Sequence, residues 1–156
     1  MKRTPLYELH ASASGTFTSL FDWELPDTLG NPAAEYQAAQ EGIVLMDRSY
    51  VGRFQVTGKD ALDLLNRLST NKLEELPPGN GRASILTSNK GRIIDLLHLF
   101  ARKDHLLLLT SPQTRERVAE WIDLYTFLEE VALEDITETT AMGAAPRISR
   151  WTTSSP

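Results

Sequence analysis

Apolar and polar side chains alternate most regularly at Arg53-Phe54-Gln55-Val56-Thr57, and this period of two predicts a strand. Thr57-Gly58-Lys59-Asp60 then offers a helix cap. Ala61, Leu64, Leu65 and Leu68 follow on one face of a helix that should end near Asn71. A loop at Pro77, Pro78, Gly79 and Gly81 separates this helix from two runs, Arg82–Thr87 and Arg92–Phe100, which read as a hairpin around Asn89-Lys90-Gly91. The short run Leu106–Leu109 is apolar on both sides and bounded by turn signals, the pattern of a buried strand. Ser111-Pro112 supplies a cap and a first-turn proline for a helix whose apolar positions, Val118, Trp121, Ile122 and Tyr125, carry it to about residue 128. Val131–Thr137 is the last predicted strand.

The order β-α-β-β-β-α-β identifies an α+β fold, a ferredoxin-like split βαβ unit with one additional strand, its helices covering one face of an antiparallel sheet. This subdomain is expected over residues 49–138. Residues 1–48 are broken by Gly15, Pro26, Gly30 and Pro32 and read as a loop-rich segment of an incomplete domain, with one helix at about Ala33–Glu41 ending at Gly42. Residues 139–156 read as a loose tail: the periodicity fades, the charge turns positive through Arg147 and Arg150, and Trp151 stands in a Ser/Thr/Pro-rich context.

Composition narrows the function classes. The 156 residues are 41% hydrophobic and 24% charged, which suits a packed domain and excludes a disordered chain. No apolar run reaches the roughly 18 residues that would span a bilayer, and the N-terminus lacks the apolar stretch of a signal peptide. With no cysteine among its residues, the chain is expected to be cytoplasmic and to use no thiol chemistry. A net charge of −5 offers no general attraction to nucleic acid or to an anionic membrane.

Asp95 is the most unusual residue physically, because alternation sets it in a row with Ile93, Leu97 and Leu99. A carboxylate among apolar neighbours must be compensated, either by a structural partner such as a nearby arginine or by a functional site, and both readings stand at this point. Ser111 either caps the following helix or offers its hydroxyl to a ligand. Lys90-Gly91-Arg92 is a basic hairpin tip, most simply solvated. His10, His98 and His105 lack the spacing of a metal helix, so no metal is expected; His98, alternating with Ile94, Leu96 and Phe100, reads as a core histidine. Trp23 and Trp121 read as core residues, and phosphate-loop and hydrolase-elbow motifs do not occur.

Four ordered segments resemble the N-terminal part of the glycine cleavage T-protein family of aminomethyltransferases and its folate-binding relatives. Thr4-Pro5-Leu6-Tyr7-Glu8-Leu9-His10 is similar to the family's Thr-Pro-Leu-Tyr-x-x-His, and Phe21-Asp22-Trp23-Glu24-Leu25-Pro26 to its Phe-x-Gly-Trp-Glu-Met-Pro. Leu45-Met46-Asp47-Arg48-Ser49 is similar to Met-Phe-Asp-Val-Ser, and Gly91-Arg92-Ile93-Ile94-Asp95 to Gly-Gly-x-Ile-Asp. The resemblance implies tetrahydrofolate as the one-carbon acceptor, a lipoyl carrier protein as partner, Asp95 as the catalytic residue, and Asp95 with Ser111 as folate-contacting residues.

Three positions depart from the family pattern. Leu96 stands where a second acid is common, Ala83 where a tyrosine is expected, and Ser111 where an asparagine is expected. Family members are also well over twice this length, which implies a truncated transferase with open apolar surface, prone to self-association or to pairing with a complementing chain. A non-catalytic folate-binding protein of the iron–sulfur cluster assembly type and one chain of a split transferase are the alternatives.

Overall fold

The computed structural model describes residues 1–145. In chain order the elements are β1 (Lys2–Arg3), α1 (Tyr7–Ser12), β2 (Thr16–Leu20), β3 (Trp23–Thr28), α2 (Pro32–Glu41), β4 (Met46–Asp47), β5 (Gly52–Thr57), α3 (Ala61–Leu68), β6 (Gly81–Thr87), β7 (Ile93–Ala101), β8 (Leu106–Thr110), α4 (Arg115–Leu124), β9 (Ala132–Asp135) and β10 (Gly143–Ala144). They form two units: Val51–Thr137, and Met1–Tyr50 with the described residues from Glu138 onward.

In the Val51–Thr137 unit the five strands lie in the order β6-β7-β8-β5-β9, every neighbouring pair antiparallel. The class is α+β with an antiparallel sheet, as its sequence implies. Phe54 and Val56 of β5, Leu97 and Leu99 of β7 and Leu108 of β8 form the core with Leu64 and Leu65 of α3 and Val118 and Ile122 of α4. Burying a leucine or valine fully contributes about 1.5–3 kcal/mol, so this double layer supplies most of the unit's stability. Trp121 packs against the same cluster. Gly58, at φ +110°, passes so close to the Glu130 carbonyl that a side chain has no room there. Asp60, read as part of the α3 cap, instead accepts a hydrogen bond from the Glu130 amide at 2.8 Å. Glu129 accepts from Arg67 of α3 at 2.7 Å and from the Phe127 and Leu128 amides; Arg67 first, then the backbone amides, hold its carboxyl down to about 2.

Alternation along β7 is interrupted once. The β6–β7 register steps from Leu86 opposite Asp95 to Thr87 opposite Ile93, leaving Ile94 as the extra residue of a bulge. Ile94 and Asp95 are therefore both buried while Ile93 is 67% exposed, so Ile93 does not share the row of Asp95. His98 is exposed on the outward side of β7, not a core residue. The helix after β8 also differs from its prediction. It begins at Arg115 and ends at Leu124, because Ser111–Thr114 form a separate turn and the chain turns away before Phe127 and Leu128, which are 78% and 97% exposed.

The N-terminal unit is richer in strands than its sequence suggests. β1, β3 and β2 form a sheet in that order, β1 parallel and β2 antiparallel to β3. The β2–β3 connection is a two-residue turn with Phe21 and Asp22 at φ +53° and +63°, a left-handed geometry usually supplied by Asn-Gly, so the usual hairpin signal is missing. Trp23 and Leu25 of β3 are buried. Asn31 caps α2 by accepting from the Ala33 and Ala34 amides, with Pro32 in the first turn. β10 pairs antiparallel with β4, and the Arg48 amide donates to the Met142 carbonyl at 2.8 Å. Residues 139–145, read from sequence as the start of a tail, are thus bonded to the N-terminal unit; Arg147, Arg150 and Trp151 lie outside the described residues. Among the described residues no helix is long and apolar enough to cross a membrane.

Candidate functional site

Asp95 lies on the inward side of β7, 6% exposed, where the strand passes the turn leading into α4. Its Oδ1 accepts from the Leu96 amide at 2.8 Å and the Ser111 hydroxyl at 2.7 Å. Its Oδ2 accepts from the Ser111 amide at 2.8 Å and the Thr114 hydroxyl at 2.7 Å. Two donors on each oxygen occupy the roughly four lone-pair positions of a carboxylate. The desolvation cost of the charge is offset by these charge-assisted bonds, and the result is a fixed corner between β7 and the start of α4. The structure therefore brings Asp95 and Ser111 into direct contact. It also gives Ser111 a different bond from the helix cap weighed in the sequence, because its hydroxyl points to Asp95 and Thr114 occupies the cap position.

The next residues of β7 face the opposite way. Leu96 and Phe100 are 48% and 38% exposed, with exposed His98 between them. His98 is registered between Ala83 of β6 and Leu109 of β8. Leu96, the position where the resemblance leads one to expect a second acid, is thus on the outward side. Outward positions of a half-exposed antiparallel sheet are ordinarily polar, so this row is inverted in character.

A second polar network lies in the N-terminal unit. Asp47 of β4, its side chain fully buried, accepts from the Thr4 hydroxyl at 2.6 Å, from His10 Nε2 of α1 at 2.9 Å and from the Ser49 amide at 2.8 Å. Burial pushes the Asp47 carboxyl up, but the bonds from Ser49, Thr4 and His10 outweigh it and hold the group below its ordinary value. The Ser49 hydroxyl in turn accepts from the Met142 amide at 3.1 Å. Three sequence-distant pieces are thereby linked: Thr4–His10 and Asp47–Ser49 through the carboxylate, and Met142 through the Ser49 hydroxyl. Sequence reasoning did not single out Asp47, although the signal was present: all four residues from Thr4 to Ser49 belong to the two motifs Thr4–His10 and Leu45–Ser49.

The sequence profile of the GCVT N-terminal domain family matches residues 6–144, through both units. The chain belongs to the GCVT N-terminal domain family. Among curated relatives, it is 29% identical over 143 residues to the aminomethyltransferase of Thermotoga maritima, covering 91% of this chain and 39% of that protein. It is 32% identical over 142 residues to the aminomethyltransferase of Shouchella clausii, covering 90% of this chain and 38% of that protein. The glycine cleavage system aminomethyltransferase T from Bartonella henselae has the same fold over 87% of this chain and 38% of its own, with a TM-score of 0.76 at 24% identity. This GCVT N-terminal domain chain therefore spans about two fifths of the length of the relatives it matches.

Proposed function

We propose that this chain forms one wall of a tetrahydrofolate site of the aminomethyltransferase type, with Asp95 and Ser111 setting its geometry. The observation that carries the reading is the locked corner at Asp95. The family-like segment ending at that aspartate is the stretch where β7 is fastened to the turn before α4, and this fixes which side chains β7 turns outward. Asp95 and Ser111 act here as positioning residues, because each Asp95 oxygen already receives two donors from the protein. The outward row of Leu96, His98 and Phe100 fits a flat heteroaromatic ring: two apolar side chains give it a surface and one imidazole gives it a hydrogen-bonding partner.

Tetrahydrofolate, when bound, supplies the nitrogen that takes up the one-carbon unit. The chain's own contribution is orientation, which carries a large part of the barrier reduction in such transfers. A lipoyl carrier protein bringing the aminomethyl group, and a cytoplasmic location, belong to the same proposal and are supported by the aminomethyltransferase relatives and the cysteine-free composition. Since most of each relative's length has no counterpart here, one wall is expected to hold the ligand weakly.

Titration of the chain with 5-formyltetrahydrofolate tests this. Saturable binding in the millimolar range supports the reading, which corresponds to about 4 kcal/mol. Micromolar or tighter binding by the monomer refutes the one-wall assignment, and no binding at all refutes the folate assignment.

A further inference from the structure

We infer that the open edge of β9, beside α4, is a docking site for an extended segment of another polypeptide, one that alternates apolar and basic residues and adds to the five-stranded sheet as a further strand. β9 ends the order β6-β7-β8-β5-β9, three strands from β7, so this edge stands independently of the folate reading.

Backbone geometry supplies the first part of the match. Among the described residues β9 pairs with β5 alone. The Ile136 amide donates to the Arg53 carbonyl at 3.0 Å, and the pairs Gln55–Glu134 and Thr57–Ala132 follow in the same phase. Ala132, Glu134 and Ile136 therefore turn their amides and carbonyls toward β5, while those of Leu133 and Asp135 point to the open edge. Side chains supply the second part. Leu133 and Val131 line a cleft of about 350 Å³ with Ala119 and Ile122 of α4, and Glu120 and Asp123 form its polar rim. That is the small end of the range for ligand pockets, about 300–1,000 Å³. Bounded by a strand with free hydrogen-bonding groups, it suits the side chains of a strand laid along β9. Because side chains of a strand alternate, every second one would enter the apolar cleft, and those between would lie beside exposed Ala132 and Glu134.

Charge selects the occupant. Residues 115–135 hold seven acidic residues against two arginines, a net charge of −5 that equals the whole chain's. Arg115 is paired with Asp135 at 3.3 Å, and Lys59 with Glu130. Glu120, Asp123 and Glu134 enter no ion pair among the described residues. A segment with lysine or arginine at alternate positions supplies the missing cations, whereas a nucleic acid or an anionic membrane is repelled. A second copy of this chain would bring the same acids to the same edge, and like charges set opposite each other across a strand pair are destabilising. The acids thus guard the edge against self-pairing while leaving it open to a basic strand.

Fluorescence anisotropy with the whole chain and a dye-labelled peptide, Thr-Lys-Val-Lys-Val-Lys-Val-Thr, tests this docking. The expected result is saturable binding that weakens about tenfold or more in the Glu120→Lys/Asp123→Lys double variant, and equally when glutamate replaces lysine in the peptide. Both substituted positions are exposed, so the double variant should melt like the parent. Methylating one alternate set of peptide amides should abolish binding, and methylating the other set should leave it intact. Hydrogen exchange followed by NMR should show the Leu133 and Asp135 amides protected by the peptide, with Ala132 and Glu134, already bonded to β5, little changed. A peptide of the same composition with its valines and lysines in separate blocks should bind at least about tenfold more weakly; equal binding would reduce the contact to general charge attraction and overturn the docking site. Absence of binding, or binding that leaves the Leu133 and Asp135 amides exchanging as before, overturns it as well. So does self-association in sedimentation with those two amides protected, since a second copy would then hold the edge. None of these outcomes bears on a folate titration of the same chain.

Discussion

Replacing Asp95 by asparagine separates an anchoring carboxylate from a reacting one. The amide preserves volume and keeps one acceptor oxygen, which can still serve the Leu96 amide and the Ser111 hydroxyl. The new NH2 group then faces the Ser111 amide, itself a donor, and the Thr114 hydroxyl, which can rotate to accept. One buried N–H is left without an acceptor, costing about 1–3 kcal/mol, and the surviving bonds lose their charge assistance, falling from about 1.5–3 to about 0.5–1.5 kcal/mol each. The expected destabilisation of the Val51–Thr137 unit is about 3 kcal/mol. For a domain of this size that is a drop in Tm on the order of 15 °C. Thermal and urea unfolding of Asp95→Asn, Thr114→Val and the double variant measure it. Since the two residues share one bond, the double variant should lose less than the sum of the singles. A parent-like melt for Asp95→Asn, within about 0.5 kcal/mol, refutes the anchoring role and frees the carboxylate for direct ligand chemistry.

Asp47 should make the N-terminal unit acid-sensitive. Its folded-state carboxyl lies below the ordinary 3.8, so the stability it contributes is fully present above that value and is lost as the pH falls through the lower folded one. Stability measured between pH 5 and pH 2 should fall less steeply in Asp47→Asn than in the parent, and parallel curves would contradict this. Gly58→Ala should cost several kcal/mol in urea unfolding, because a Cβ meets the Glu130 carbonyl and φ is +110°. By contrast, Asp22→Gly should stabilise the β2–β3 hairpin by about 0.5 kcal/mol, since glycine adopts its φ of +63° without strain; a lower Tm would show that the Asp22 side chain matters more than the backbone.

Local pattern determined much of this fold because burial follows period. The alternation at Phe54 and Val56, the helical spacing of Leu64 and Leu65, and the short run Leu106–Leu109 each repeat an apolar residue on one side of an element, and each lies in the core. The family segments were legible for the same reason, being short and contiguous. The sequence also pointed to Asp95 and to Ser111 as residues that needed partners.

What it did not contain was which partners, since Ser111 and Thr114 reach Asp95 only when β7, β8 and the turn before α4 converge. The bulge at Ile94 is likewise a property of strand pairing: one extra residue against β6 shifted Ile93 to solvent, and no period along β7 alone records it. His98 had a pattern that suited either side of the sheet, because Leu96 and Phe100 make its row look like a core row. Only the packing of α3 and α4 on the side of Leu97 and Leu99 decided that the row of His98 faces outward. The Asp47 network was the least legible of all, since three distant pieces of chain meet at Asp47 and Ser49 and sequence distance hides a contact that tertiary structure makes short.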